Sequence, residues 1–150
     1  MNPQGSPQRP SHSGVPTSIY DHRGLPESYP FKPEFEWTPR ETFDRLRKKD
    51  GSFQLIDCRT TEEWDLVRIP GAVNIPLHEL ESRLDELEPG KRPVFLCHHG
   101  VRSLKAALAA RAHGFKDAMS VAGGIELWSM SADSSVPRYE RGPGGLKLLD

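Results

Sequence analysis

Pro93-Val94-Phe95-Leu96 is apolar on both faces of an extended chain, as suits a strand covered on both sides at the centre of a parallel sheet. Parallel neighbours cannot be joined by tight hairpins; each needs a crossover connection, usually a helix. The sequence around this run supplies that alternation. Thr38-Pro39-Arg40-Glu41 reads as a capping box with Pro at the first helical position, opening a helix to about Lys49 that Gly51 ends. A short apolar strand is expected over 53–57. Thr60-Thr61-Glu62-Glu63 is a second capping box, for a short helix carrying Trp64. Another strand is expected over 72–75. Leu77, Leu80, Leu84 and Leu87 then recur at helical spacing until Pro89-Gly90. After the 93–96 strand comes an Ala-rich helix with Leu104, Ala107, Leu108, Ala112 and Phe115 on one face and Gly114 near its end. A last strand over 118–121 meets Gly123-Gly124 and a short helix through Trp128. Strand and helix alternate throughout, which predicts an α/β fold: an open parallel sheet with helices on both faces.

The flanks differ in composition. Residues 1–33 hold seven of the 14 prolines, with Gly, Ser and Gln between them. Such a stretch buries too little apolar surface to offset its ordering entropy, so it reads as a disordered or draped extension. Ile19, Tyr20, Tyr29 and Phe31 are its candidate anchors. Residues 141–150, with Gly-Pro-Gly-Gly, read as a second tail. A chain of 150 residues has the size of one domain, assigned to residues 34–140. A net charge of −1 gives no electrostatic footprint for nucleic acid or an anionic membrane. No apolar run approaches the ~18 residues of a membrane helix. The N-terminus lacks the apolar centre of a secretory signal. With Cys58 and Cys97 as the only cysteines there is no disulfide framework, and a reducing, cytoplasmic compartment is expected.

Ligands of open α/β sheets bind at the carboxyl ends of the strands. Cys97 stands at such an end, followed by His98-His99-Gly100-Val101-Arg102-Ser103 and a helix. A free thiol titrates near ~8.5, but a helix N-terminus, loop N–H groups and a nearby arginine favour the thiolate. Gly100 permits a turn in which successive amides point inward to hold an anion. Arg102 is expected to add a positive charge at the far end of the loop. Cys97 is therefore the candidate nucleophile, acting on a small anionic substrate. His98 and His99 are read as pocket rim, adding positive charge or a hydrogen bond; consecutive loop residues do not converge on one ion, so no metal is expected. Asp57 and Arg59 read as a buried ion pair supporting the loops. Cys58, between them, reads as a buried, inert thiol. Trp37, Trp64 and Trp128 are assigned to core packing.

Five segments taken together carry a resemblance: Leu55-Ile56-Asp57-Cys58-Arg59; Ile69-Pro70-Gly71-Ala72-Val73-Asn74-Ile75-Pro76; Cys97 through Ser103; Gly123-Gly124-Ile125 with Trp128; and Asp133 to Pro137-Arg138-Tyr139. In this order and separation, over about residues 35–139, they are similar to the single-domain rhodanese (thiosulfate sulfurtransferase-like) family. The resemblance implies a three-layer rhodanese-like fold, with a central, mostly parallel five-stranded sheet. It also implies a sulfurtransferase needing no cofactor. Cys97 would take the outer sulfur of thiosulfate or a persulfide donor, then pass it to cyanide, a thiol or a sulfur-acceptor protein, with ping-pong kinetics. The loop from His98 to Ser103 would bind the substrate. Two departures stand out. Val67-Arg68 replaces the Gly-His that often precedes Ile-Pro-Gly-Ala, which is expected to alter only a loop surface. Cys58 occupies a position that is commonly aliphatic, and could resolve the persulfide into a disulfide. The alternatives are a non-turnover binding or regulatory module, a phosphatase, and an arsenate reductase. Phosphate-transferring cysteine loops of this fold place arginine sixth after the cysteine, where this chain has Ser103; its arginine, Arg102, is fifth.

Overall fold

The computed structural model describes residues 19–149. Its main sheet has five strands, β1 (Glu36–Trp37), β2 (Phe53–Asp57), β3 (Val73–Asn74), β4 (Arg92–Leu96) and β5 (Met119–Val121), in the order β1-β5-β4-β2-β3. Every pairing in it is parallel. The apolar run is the middle strand, β4. Alternation along it sends Val94 and Leu96 to one face of the sheet and Phe95 to the other. All three are fully buried, and each such side chain contributes about 2 kcal/mol relative to exposure.

The two faces carry separate cores. One gathers Trp37, Phe53, Leu55, Val94, Leu96, Val121, Ile125, Trp128 and Tyr139. Helices α1 (Pro39–Arg47) and α4 (Gly124–Ser131) cover it, their contact including the edge-on approach of Phe43 to Trp128 at 5.9 Å. The other gathers Ile56, Cys58, Ile75, Leu80, Phe95 and Cys97 under α3 (Val101–Ala112) and a 3-10 segment, Leu77–Glu86, kinked at Arg83. Trp37 and Trp128 are core residues, as expected. Trp64 is not: it is half-buried in α2 (Thr61–Leu66), with the Arg68 guanidinium 5.1 Å over its ring.

Most element boundaries follow the sequence signals. The Thr38 hydroxyl accepts from the Glu41 N–H and Pro39 begins α1. Thr60 and Glu63 form the full reciprocal capping box of α2. The end of α1 is set earlier than expected, by Lys49 in the left-handed region rather than by Gly51.

Three readings are corrected. The buried face of α3 consists of Ser103, Ala106, Ala107 and Ala110, while Leu108 is exposed. Small residues let the helix backbone approach the sheet closely, and that geometry outweighs the greater hydrophobicity of leucine. Residues 141–148 are not a tail. With Tyr139 and Glu140 they form an antiparallel hairpin of β6 (Tyr139–Gly142) and β7 (Gly145–Leu148), turning at Gly145 with φ of 102°. Val67 is no surface residue; it is 5% exposed and its carbonyl is a buried acceptor. Of the N-terminal extension, residues 19–33 lie along the domain, and residues 1–18 fall outside the described part. Tyr20, Tyr29 and Phe31 pack with Leu25, Ala122 and Leu127. Leu25, unremarked in the sequence, is the fully buried anchor, whereas Ile19 is 39% exposed.

Candidate active site

The chain leaves β4 at Leu96 and enters the loop at Cys97, which is 1% exposed. Gly100, with φ of 105°, turns it into α3. That left-handed conformation is open to glycine at little cost. It brings the Gly100 N–H onto Cys97 Sγ at 3.0 Å. A β-carbon at Gly100 would stand 3.2 Å from the Gly123 backbone nitrogen, so the position is constrained twice. Sγ also lies 3.3 Å from Ser103 Oγ, which shares a 2.8 Å hydrogen bond with Ser120 Oγ from β5. No side chain caps α3, which leaves its first N–H groups and the positive end of its dipole to the loop.

The loop is clamped from the neighbouring helix start. Gly123 and Gly124 both have positive φ, and α4 begins there. The Ile125 N–H donates to the Cys97 carbonyl at 2.8 Å, and the Glu126 N–H to the His98 carbonyl at 3.1 Å. A β-carbon on Gly124 would collide with both carbonyls. On the outer side the Tyr29 hydroxyl accepts from the Gly123 N–H at 2.8 Å and donates to Glu36 Oε2 at 3.3 Å. Burial and the Glu36 charge raise this phenol to about 12, so it stays protonated at neutral pH.

Arg102, expected to add a positive charge at the far end of the loop, is paired with a carboxylate. Its guanidinium grips Glu63 with two bonds, Nη1 to Oε1 at 2.7 Å and Nη2 to Oε2 at 3.0 Å. The Glu63 side chain is 3% exposed. Burial would raise the Glu63 carboxyl, but hydrogen bonds from Arg102, the Tyr139 hydroxyl and the Thr60 N–H overcome it and hold the group well below the usual range. From Glu63 the network continues inward. Tyr139 donates to Glu63 Oε2 at 2.6 Å and accepts from Arg59 Nη1 at 3.0 Å. Arg59 Nη2 donates to Asp57 Oδ2 and to the Val67 carbonyl, both at 2.6 Å. Asp57 and Arg59 are thus a fully buried pair. An unpaired buried charge would cost several kcal/mol, ~3–5, so each member requires the other.

The histidines divide. His98 stacks on Tyr139, ring centroids 4.0 Å apart, and His99 lies 3.9 Å beyond it. Burial and the adjacent His99 push His98 down to about 4, so of the two parts expected of it, a positive charge or a hydrogen bond, the charge is not present at neutral pH. His99 is exposed, and Val101 is 65% exposed. Among the described residues no group of three or more His, Cys, Asp or Glu is placed to hold a metal ion, and no helix is long and apolar enough to cross a membrane.

Cys97, Gly100 and Ser103 are therefore brought together at the sulfur. Arg102 faces Glu63 instead, and Asp57 and Arg59 lie beneath. Sequence reasoning missed Glu63, Tyr29 and Ser120 in this setting. Glu63 did carry a signal, its place in the capping box, which accounts for its bonds to Thr60 but not for those to Arg102 and Tyr139. Tyr139 belonged to a quoted segment without a role.

Comparison with known proteins places this geometry. Residues 40–131 match the Rhodanese-like domain family. Bacillus subtilis YrkF is 37% identical over 89 residues, covering 59% of this chain and 48% of YrkF. The chain spans only 24–30% of several longer relatives. Thiosulfate sulfurtransferase GlpE of Pseudomonas syringae is 34% identical over 95 residues, covering 63% of this chain and 88% of GlpE. The human single-domain sulfurtransferase TSTD1 superimposes with a TM-score of 0.56 at 33% identity, over 63% of this chain and 95% of that one. With the parallel sheet, the cysteine at the end of its middle strand and a family match over most of the described domain, the chain belongs to the rhodanese-like domain family.

Proposed function

We propose that the chain is a sulfurtransferase that moves a sulfane sulfur from thiosulfate or a persulfide donor to a thiophilic acceptor through a persulfide on Cys97. The observation that carries this reading is the Gly100 N–H directed at Cys97 Sγ from a loop that enters an uncapped helix. A thiolate there is met by hydrogen-bond donors rather than by a carboxylate. Cys97 Sγ attacks the outer sulfur of the donor. The donor's S–S bond breaks with its electron pair going to the leaving sulfite or thiol. The outer sulfur stays on Cys97 as an anionic persulfide, held by the loop amides. An acceptor nucleophile, such as cyanide or a thiol, then attacks that outer sulfur and releases the Cys97 thiolate.

In this scheme Ser103 donates to the thiolate and accepts from the Ser120 hydroxyl. Arg102, its charge matched by Glu63, acts on the reaction by fixing the first turn of α3 against α2. Anion stabilisation therefore falls on backbone N–H groups and the Ser103 hydroxyl rather than on Arg102. The similarity to GlpE and TSTD1, each described by name as a sulfurtransferase, supports the same reading. Intact mass after incubation with thiosulfate tests it. One added sulfur atom, removed by cyanide and absent from Cys97→Ser, is expected. A chain that gains no sulfur from thiosulfate or persulfide donors overturns it.

A further inference from the structure

Beside Cys97 lies a second thiol that the transfer reaction leaves unused. In the β2–β4 pairing Ile56 stands opposite Phe95 and Asp57 opposite Leu96. The Cys58 N–H donates to the Leu96 carbonyl at 2.8 Å, carrying the ladder one residue further, so Cys58 stands opposite Cys97. Residues two apart on a strand share a face. Cys58 therefore follows Ile56, and Cys97 follows Phe95, into the same core under α3, where both thiols are 1% exposed. Neighbouring strands run about 4.8 Å apart, inside the ~4.4–6.8 Å range of Cα separations that a disulfide bridges. Both cysteines are free in the structure. Burial, followed by the nearby Cys97 and Asp57, pushes the Cys58 thiol well above its ordinary value. Cys58 therefore stays protonated and does not compete with Cys97 for the sulfur donor.

Resting on the persulfide reading above, we propose that Cys58 is a resolving thiol: it discharges an unclaimed Cys97 persulfide as hydrosulfide and leaves a Cys58–Cys97 disulfide. Cys58 Sγ bonds to Cys97 Sγ. The bond between Cys97 Sγ and the outer sulfur breaks, its electron pair passing to the outer sulfur. The Cys58 proton goes to the same atom, which leaves as hydrosulfide. The outer sulfur is reduced, the two cysteines are oxidised to the disulfide, and no outside oxidant enters. Reduction by an external thiol then restores both cysteines.

The experiment loads the whole chain with thiosulfate under anaerobic conditions, removes the excess and withholds any acceptor. Intact mass, non-reducing peptide mass and bimane-trapped hydrosulfide are followed together. The persulfide mass is expected to give way to that of an internal disulfide, with a Cys58–Cys97 linked peptide and matching hydrosulfide. In Cys58→Val the persulfide is expected to last on the order of tenfold longer; Cys58→Ala makes the same comparison if valine prevents folding. Loading without a linked peptide, or equal persulfide lifetimes in wild type and variants, overturns the resolving role while leaving the transfer reading intact. No loading of the wild type overturns both.

Discussion

Helices α1 and α2 begin at Thr38 and Thr60, whose hydroxyls satisfy a first-turn N–H; α3 and α4 begin at Gly100 and Gly123, left-handed and without a side-chain cap. The first pair closes its own ends, and the cost of losing such a cap is about 1 kcal/mol. The second pair turns its donors outward. Near α3 the Gly100 N–H meets Cys97 Sγ, and the first turn of α4 holds the Cys97 and His98 carbonyls. The difference separates scaffold from site. A threonine cap at Gly100 or Gly123 would occupy N–H groups that the sulfur loop needs.

The largest effect expected from breaking this division is at Gly124. Gly124→Ala places a β-carbon against the Cys97 and His98 carbonyls at a φ of 65°, so it is expected to cost several kcal/mol, ~3 or more, in urea unfolding. Gly100→Ala meets the Gly123 nitrogen at 3.2 Å, with the Gly123 α-carbon and the Tyr29 hydroxyl at ordinary contact distance. Its left-handed backbone costs about 1–2 kcal/mol, while displacement of the N–H on Sγ is expected to slow sulfur loading roughly a hundredfold. A folded variant that loads at the wild-type rate would contradict the part given to that N–H. Ser103→Ala removes the hydroxyl between Cys97 and Ser120 and is expected to reduce loading roughly tenfold or more, as for a hydrogen bond to a charged group.

Glu63 links the two kinds of helix start, since it belongs to the α2 cap and also holds Arg102 on α3. Its carboxyl is depressed in the folded chain, so its contribution is present above the unfolded value of about 4.3 and is lost as pH falls below it. Glu63→Gln is expected to be less stable at pH 7 and to show a flatter fall in stability toward acid. Urea unfolding over that pH range measures both. Equal acid dependence in the two chains would show that the Arg102 pairing contributes nothing to stability. Thr38→Ala sharpens the comparison from the scaffold side: about 1 kcal/mol is lost while loading stays unchanged.

These contrasts also explain what the sequence disclosed. β4 was readable because four consecutive apolar residues admit few arrangements, and α1 and α2 because cap chemistry is local. The Cys97 loop was readable as a segment, since glycine, cysteine and a following helix are all near in sequence. The α3 face was misread because leucine dominates a hydrophobicity count, while a helix lying close on a sheet selects Ala106, Ala107 and Ala110. The network that holds Arg102 was hidden for another reason. Its partner Glu63 lies 39 residues before Arg102, and Tyr139, which meets Glu63, lies 37 residues after Arg102; no local pattern announces such a pairing. The hairpin after Tyr139 carried too little apolar alternation to signal strands, and Leu25 was masked by its proline-rich surroundings.

Tyr29 and Tyr139 both lie outside residues 40–131, the segment matched to the family. One braces the Gly123 turn from the N-terminal side, and the other joins Arg59 to Glu63 from the C-terminal side. A portable unit cut at the family's limits would keep Cys97 and its loop but lose both phenols. Grafting or excising this domain with its loop geometry intact therefore means carrying the chain from before Leu25 through the β6–β7 hairpin.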